Sequence, residues 1–206
     1  MRSGRSGWFR PAASQEGNRT TMNKAFFLDR DGVINAEVDY LFEPDKVVIL
    51  PGVVPALKRM REHGFLAVVV TNQSGVARGM YAEEDVHAVH ERIRELLAAE
   101  GAGVDGFYHC PHHPKYGSPC GCRKPEPGML LAGCRDFDID PARSAMVGDR
   151  LSDIAAGRAA GCRACYLVKT GYGAEVLRNE DVSGIEVAED LEDAVNRFLK
   201  LEQDAE

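Results

Sequence analysis

An α/β fold built on a doubly wound parallel sheet is predicted from three observations. Short apolar runs alternate with helix-length amphipathic stretches from Lys24 onward. The run over residues 65–70 is apolar at every position, which marks a strand covered on both faces. Several runs stop abruptly on a polar residue, at Asp29, Thr71 and before Asp149, as expected where ligands sit beyond the carboxyl ends of parallel strands.

The elements follow in order. Residues 25–28 form the first strand, and residues 32–45 a loop or small hairpin. Pro51-Gly52 opens a helix over 53–63, with Val54, Leu57 and Met60 at helical spacing, and Gly64 ends it. The strand 65–70 precedes a helix over 82–100, whose many charges are the solvated face of an amphipathic helix. A strand at 107–108, a Cys/His/Pro loop, a helix over 127–135 and a strand at 144–147 come next. A helix over 152–160, strands at 164–168 and 185–187 and a helix over 191–201 complete the chain. The intervals after Asp31 and Thr71 leave no room for a large cap domain.

The 206 residues suit one domain, expected over 22–206. Residues 1–21 are rich in Ser, Gly and Arg, with Trp8 and Phe9 as their bulky apolar side chains, and lack the apolar core of a signal peptide. They read as a disordered leader or extension, more simply than as an amphipathic presequence. A net charge of -7 argues against a general electrostatic hold on nucleic acid or anionic lipid. No window approaches the roughly 18 consecutive apolar residues of a membrane span. A soluble, cytoplasmic monomer acting on a small molecule is expected.

The polar residues at strand ends form a coherent set. Asp29 and Asp31 place two carboxylates just past a strand, and their repulsion calls for a cation; Mg²⁺ is the natural one, since it binds through one or two carboxylates plus substrate phosphate. The plain alternative is a turn-forming Asp pair. Asp149 and Asp153 lie four residues apart, one helical turn on, with an ordinary helix N-cap as the alternative for Asp149. Thr71, Asn72, Gln73 and Ser74 offer hydroxyls and amides suited to phosphate oxygens, or merely a polar turn. Arg123 and Lys124 gain interest through this company.

On these residues the chain resembles the haloacid dehalogenase (HAD) superfamily, whose four ordered motifs look like Asp29-x-Asp31, Thr71, Lys124 and Asp149-x-x-x-Asp153. The strings Asp-Arg-Asp-Gly-Val-Ile-Asn, Thr-Asn-Gln-Ser-Gly-Val-Ala-Arg-Gly, Cys-Pro-His-His-Pro and Cys-Gly-Cys-Arg-Lys-Pro are similar to one branch, the D-glycero-D-manno-heptose 1,7-bisphosphate 7-phosphatases. The match runs over residues 24–173. The resemblance implies a Rossmann-like fold and removal of the 7-phosphate through an aspartyl-phosphate, in the making of nucleotide-activated heptose for lipopolysaccharide or other surface glycans. It implies Asp29 as nucleophile and Asp31 as general acid and base. Mg²⁺ would be held by Asp29, the Asp31 carbonyl and Asp149, with Thr71 and Lys124 on the phosphoryl oxygens and Asp153 in support. Glu37, Tyr40, residues 71–74, Arg123 and Arg150 would shape the substrate pocket. The branch carries an Asp-His-Gly-Tyr-like string where this chain has Glu37-Val38-Asp39-Tyr40, a departure that bears on the substrate and its anomer. The neighbouring reading is a histidinol-phosphate phosphatase; a reading from another class is a catalytically silent phosphate-binding module, against which both Asp29 and Asp31 stand intact.

The six cysteines could pair as disulfides, but three crowd beside histidines. Cys110, His112, Cys120 and Cys122 offer a closed set for structural Zn²⁺ in the loop 110–122. His113 is the rival imidazole, and the resemblance favours His112. Cys162 and Cys165 invite a redox reading that is discounted, because positions three apart along a strand face opposite sides and no helix N-terminus is there to lower a thiol pKa. Cys134 is expected in the core or on a helix surface. His63, His87, His90 and His109 show no partner pattern and are expected to be solvated or locally hydrogen-bonded.

Overall fold

A computed structural model describes residues 22–204; the leader expected over residues 1–21 lies outside them. Its strands are β1 (Lys24–Leu28), β2 (Phe65–Asn72), β3 (Gly106–Cys110), β4 (Ala145–Gly148), β5 (Ala164–Val168) and β6 (Glu186–Ala188). They form one sheet in the order β3-β2-β1-β4-β5-β6, parallel at every pairing. The order reverses between β1 and β4, whose carboxyl ends carry Asp29 and Asp149, and such a switch point opens the crevice where ligands bind.

The helices are α1 (Val53–Glu62), α2 (Glu83–Ala99), α3 (Gly128–Phe137), α4 (Leu151–Ala160), α5 (Gly173–Asn179) and α6 (Leu191–Gln203). Strand residues alternate between two apolar layers. Phe26, Leu28, Val69 and Val147 face α1, α2 and α6 through Met60, Ile93 and Phe198. Phe27, Val68, Val70 and Met146 face α3, α4 and α5 through Leu130, Ile154 and Val176. Burial on both sides is why these strands read as unbroken apolar runs. No helix among the described residues is long and apolar enough to cross a membrane.

Four differences from the sequence reading matter. Strand β2 continues through Thr71 to Asn72, because β3 pairs with both positions. Helix α5 was not expected; at seven residues it is too short to display a helical period. Cys162 precedes β5, after the left-handed Gly161, so it packs into the same apolar layer as Cys165 and does not face the opposite side. His90 and His109 are buried: His90 stacks on Phe107 at 4.4 Å, and His109 meets Glu83 at 3.2 Å. His63 makes the expected local contact, Nδ1 to the Arg59 carbonyl at 2.9 Å.

Candidate active site

Three strand ends and one loop bring the site together. Asp29 follows β1 directly, and its backbone N–H donates to the Val147 carbonyl at 2.9 Å, which continues the sheet one step past β1. Lys124 comes from the loop before α3 and is almost wholly buried. Its Nζ donates to Asp29 Oδ1 at 2.8 Å and to the Val70 carbonyl at 2.8 Å, and lies 2.7 Å from Asp153 Oδ1. A lysine at this depth needs those carboxylates. Burial alone would pull its pKa down, and Asp153 and Asp29 reverse the direction, so the ammonium stays charged.

Asp149 ends up fully buried beside Asp29. The expected alternative of an N-cap does not hold, because Arg150 is the N-cap of α4 and Asp153 caps the helix by accepting the Arg150 N–H at 2.9 Å. Asp149 Oδ2 accepts the Tyr172 N–H at 2.8 Å, and Oδ1 is buried with no partner. Two glycines with positive φ, Gly32 and Gly171, flank this carboxylate, and a Cβ on either would lie 2.3 or 2.2 Å from Asp149 Oδ2. Only residues without side chains let the two loops close on it.

Carboxylate oxygens of Asp29, Asp149 and Asp153 lie within 4.8 Å of one another. Oxygens around Mg²⁺, each bonded at ~2.0–2.1 Å, would be separated by ~3–4 Å, so the spacing fits. Asp153 has one oxygen on Lys124 and the other on the Arg150 N–H, which leaves Asp29 and the orphaned Asp149 Oδ1 to hold a cation. The crowding has an electrostatic signature. Burial, reinforced by Asp29 and Asp153, pushes Asp149 up to about 8. Asp29 is pushed up to about 6 by burial and Asp153, against the opposing pull of Lys124. A divalent ion between Asp29 and Asp149 would offset this repulsion.

Asp31 faces the same cavity, of about 400 Å³. Arg30, fully buried although charged, grips it through Nε at 3.1 Å and Nη2 at 2.9 Å. Asn35 donates to Oδ1 at 2.9 Å and Gln73 to Oδ2 at 3.1 Å. These donors fill its four lone-pair sites, so the carboxylate is oriented, and donating a proton from it requires one of them to give way. Gln73 also donates to Thr71 Oγ1 at 2.9 Å and accepts from the Tyr81 hydroxyl at 2.9 Å. Asn72 clamps the Lys124 backbone, donating to its carbonyl and accepting from its N–H, both at 3.1 Å. Both amides thus use their side-chain bonds within the protein while lining the cavity with Ser74.

The remaining wall includes Glu37, Tyr40, Arg123 and Arg150. Glu37 is pushed up to about 7 by burial and by Asp31. Arg78 ties the rim together: its guanidinium lies 5.6 Å from the Tyr40 ring and 5.0 Å from the Tyr116 ring. Sequence reasoning missed Arg30, Tyr81 and Tyr172, of which the last two also line the cavity together with Asp39 of the expected flap. For Arg30 the signal was available, since it stands between the two aspartates.

Beside the cavity, the ligand atoms of Cys110, His112, Cys120 and Cys122 lie within 4.8 Å of one another. Cys110 Sγ is 3.6 Å from Cys120 Sγ and 3.0 Å from Cys122 Sγ, and His112 Nδ1 is 3.4 Å from Cys122 Sγ. Tetrahedral Zn²⁺ with ~2.3 Å bonds to sulfur would set S···S edges near ~3.8 Å, so this quartet fits the ion. His113 points instead to Arg78, Nε2 to Nη2 at 3.4 Å. The two thiols are coupled: the Cys110–Cys122 contact, with His112 adding, brings Cys122 down to about 5, and Cys110 is driven up by the same contact and by burial. The His112 carbonyl accepts from Arg123 Nη1 at 3.1 Å, so the loop sets the arginine beside Lys124.

A buried lysine among strand-end carboxylates at the β1/β4 switch, with no domain inserted over it among the described residues, is the arrangement of a HAD-type phosphatase. A HAD-hydrolase-like family model matches residues 121–194. The D-glycero-beta-D-manno-heptose-1,7-bisphosphate 7-phosphatase of Pasteurella multocida is 44% identical over 154 residues, 73% of this chain and 84% of that protein. The D-glycero-alpha-D-manno-heptose-1,7-bisphosphate 7-phosphatase of Burkholderia mallei is 44% identical over 151 residues, 71% of this chain and 80% of its own. A D,D-heptose 1,7-bisphosphate phosphatase from B. bronchiseptica, solved with magnesium and phosphate, superposes with a TM-score of 0.77 at 39% identity over 86% of this chain and 99% of that one. The chain belongs to the D-glycero-D-manno-heptose 1,7-bisphosphate 7-phosphatase family of HAD-type phosphoric monoester hydrolases.

Proposed function

We propose that this chain removes the 7-phosphate of D-glycero-D-manno-heptose 1,7-bisphosphate through an aspartyl-phosphate on Asp29. The observation that carries the reading is the meeting of Asp29, Lys124 and Asp153, with buried Asp149 beside them, at a polar cavity of about 400 Å³, a size that takes a phosphorylated sugar. Mg²⁺, held by Asp29, Asp149 and the Asp31 carbonyl, neutralises charge on the transferring phosphoryl group when bound.

The residues of the chain supply the rest. Lys124 and Thr71 hold phosphoryl oxygens. An Asp29 oxygen attacks phosphorus in line, the bond from phosphorus to the sugar oxygen breaks, and Asp31 gives its proton to the leaving alkoxide. Asp31 then takes a proton from the water that attacks the phospho-aspartate, releasing orthophosphate and restoring Asp29. Positioning and charge neutralisation make up most of what phosphoryl transfer demands. Asp153 keeps Lys124 aimed, Asn72 and Gln73 fix the backbone and hydroxyl that touch phosphate, and Ser74, Glu37, Tyr40, Arg123 and Arg150 meet the sugar and its second phosphate. Zn²⁺ on Cys110, His112, Cys120 and Cys122 is structural, because four protein ligands leave no open position. Thiol ligands that must stay reduced suit the cytoplasm, and one chain carries every group the reaction uses, so a monomer suffices.

The test is a panel of sugar phosphates with Mg²⁺, both heptose anomers and histidinol phosphate included, scored for which phosphate is released. Release of the 7-phosphate with the highest kcat/KM is expected. Faster turnover of histidinol phosphate, or no turnover of any ester, would overturn the reading.

A further inference from the structure

Tyr172, just before α5, engages three parts of the site at once. Its backbone N–H holds Asp149 Oδ2 at 2.8 Å, its hydroxyl donates to Asp39 Oδ1 at 2.8 Å, and its ring lies 3.7 Å from the Arg150 guanidinium carbon. The loop bearing it is pinned by Thr170 Oγ1, which donates to the Gly32 carbonyl at 2.6 Å. Asp39 belongs to the exposed part, residues 38–40, of the flap over 37–40, so the hydroxyl bond is a tether across the cavity from the β5 end to the β1 end.

Three cations line that cavity, Arg123, Lys124 and Arg150. Lys124 is committed to Asp29 and Asp153 and thus to the phosphate being cleaved. A second phosphate must find the two arginines. Arg123 is steadied by the His112 carbonyl. Among the described residues the Arg150 guanidinium makes no side-chain hydrogen bond or ion pair, so its five N–H donors are open to a ligand, and the Tyr172 face fixes where they point.

We propose that Tyr172 is a positioning residue for substrate choice: strapped to the flap through Asp39, it holds Arg150 over the cavity, where it and Arg123 take the phosphate that is not cleaved. This rests on the sugar-bisphosphate reading above. Asp39 stands in the stretch where the chain departs from the string that its motifs otherwise resemble, and the strap gives that departure a partner.

The experiment compares KM and kcat for heptose 1,7-bisphosphate and heptose 7-phosphate in the full chain with Mg²⁺, for wild type, Tyr172→Phe, Tyr172→Leu, Asp39→Ala and the Phe/Ala double variant. In Tyr172→Phe and Asp39→Ala the ratio of monophosphate KM to bisphosphate KM falls about fivefold, the worth of one ordinary hydrogen bond. The double variant falls no further, because both changes cut the same strap. Tyr172→Leu falls further by losing the ring. An unchanged ratio with kcat lowered on both substrates, or additive effects of the two single changes, would overturn the proposal, and Tyr172→Phe keeps it testable if the leucine variant does not fold. A wild type that hydrolyses no sugar bisphosphate sinks the functional reading itself; a wild type that does, with ratios that stay put, sinks only the strap.

Discussion

The carboxylate cluster at the switch point and the Cys/His loop beside it both gather charge, yet they are held in opposite ways. Asp29, Asp149, Asp153 and Lys124 are almost wholly buried, and each hangs from a strand end, a helix cap or an amide clamp that would exist without any ion. In the loop over 110–122, only Cys110 belongs to a strand. Residues 115–119 are exposed, and the quartet's own contacts do much of the holding. The first region is held by the fold itself. The second, on the proposed zinc reading, would take its shape from the ion, and it matters to the first because it leads straight into Arg123 and Lys124.

That contrast can be broken most sharply at Asp29. Asp29→Asn keeps the shape of the side chain and removes the proposed nucleophile, so kcat should fall by about 10⁴-fold or more while the circular dichroism spectrum stays that of the wild type. Retained turnover would remove Asp29 from the chemistry. A smaller loss is expected from Cys120→Ser, which should release zinc and loosen Arg123 and Lys124. Zinc content by elemental analysis should drop to near zero, and kcat/KM about 10- to 100-fold, without recovery on adding Mg²⁺. Unchanged zinc content would break the quartet.

A subtler difference concerns pH. Asp29 and Asp149 have folded-state values raised to about 6 and about 8, so the folded metal-free chain keeps protons that the unfolded chain has released above about 4. The sign follows directly: their contribution is favourable at low pH and is lost as pH rises through 6 and 8. Mg²⁺ needs both carboxylates ionised and so displaces protons. The rise in Tm on adding Mg²⁺ should therefore be larger at pH 8 than at pH 6, by a few degrees in a thermal melt. An equal or reversed difference would mean that the cluster is not where the ion binds. The smallest effect is one of reagents: burial raises the Cys165 thiol to about 11 and Cys162 well above its usual value, so both should resist a thiol-specific reagent in the folded chain, and rapid labelling would restore the redox reading.

Much of the site was legible because continuous apolar runs end close to where the chain leaves the sheet: Asp29 and Asp149 mark two of those ends, and Thr71 stands one residue before the end of β2. The Cys/His spacing was legible for a similar reason, since ligand pairs separated by one residue sit close in any loop. Other features depend on contacts that spacing does not encode. The place of Arg30 between the two aspartates is visible in the sequence, but its full burial and the bond from Nη2 to the Leu41 carbonyl are not. His90 and His109 meet only because α2 packs beside β3, and Tyr172 reaches Asp149 only through a close approach that needs Gly32 and Gly171. The flap over 37–40 carries no periodicity at all, and its position comes from Tyr172 and Arg78, far away in sequence.

The central claim is that Asp29 and Asp149 share one magnesium ion next to the atom that accepts the phosphoryl group. A crystal structure of the chain grown with Mg²⁺ and beryllofluoride, a mimic of the phosphoryl group on a carboxylate, tests it most directly. The account predicts beryllofluoride on an Asp29 oxygen, one Mg²⁺ touching both Asp29 and Asp149, and Lys124 Nζ against a fluorine. Beryllofluoride on another side chain, or Mg²⁺ bound away from Asp149, would contradict it.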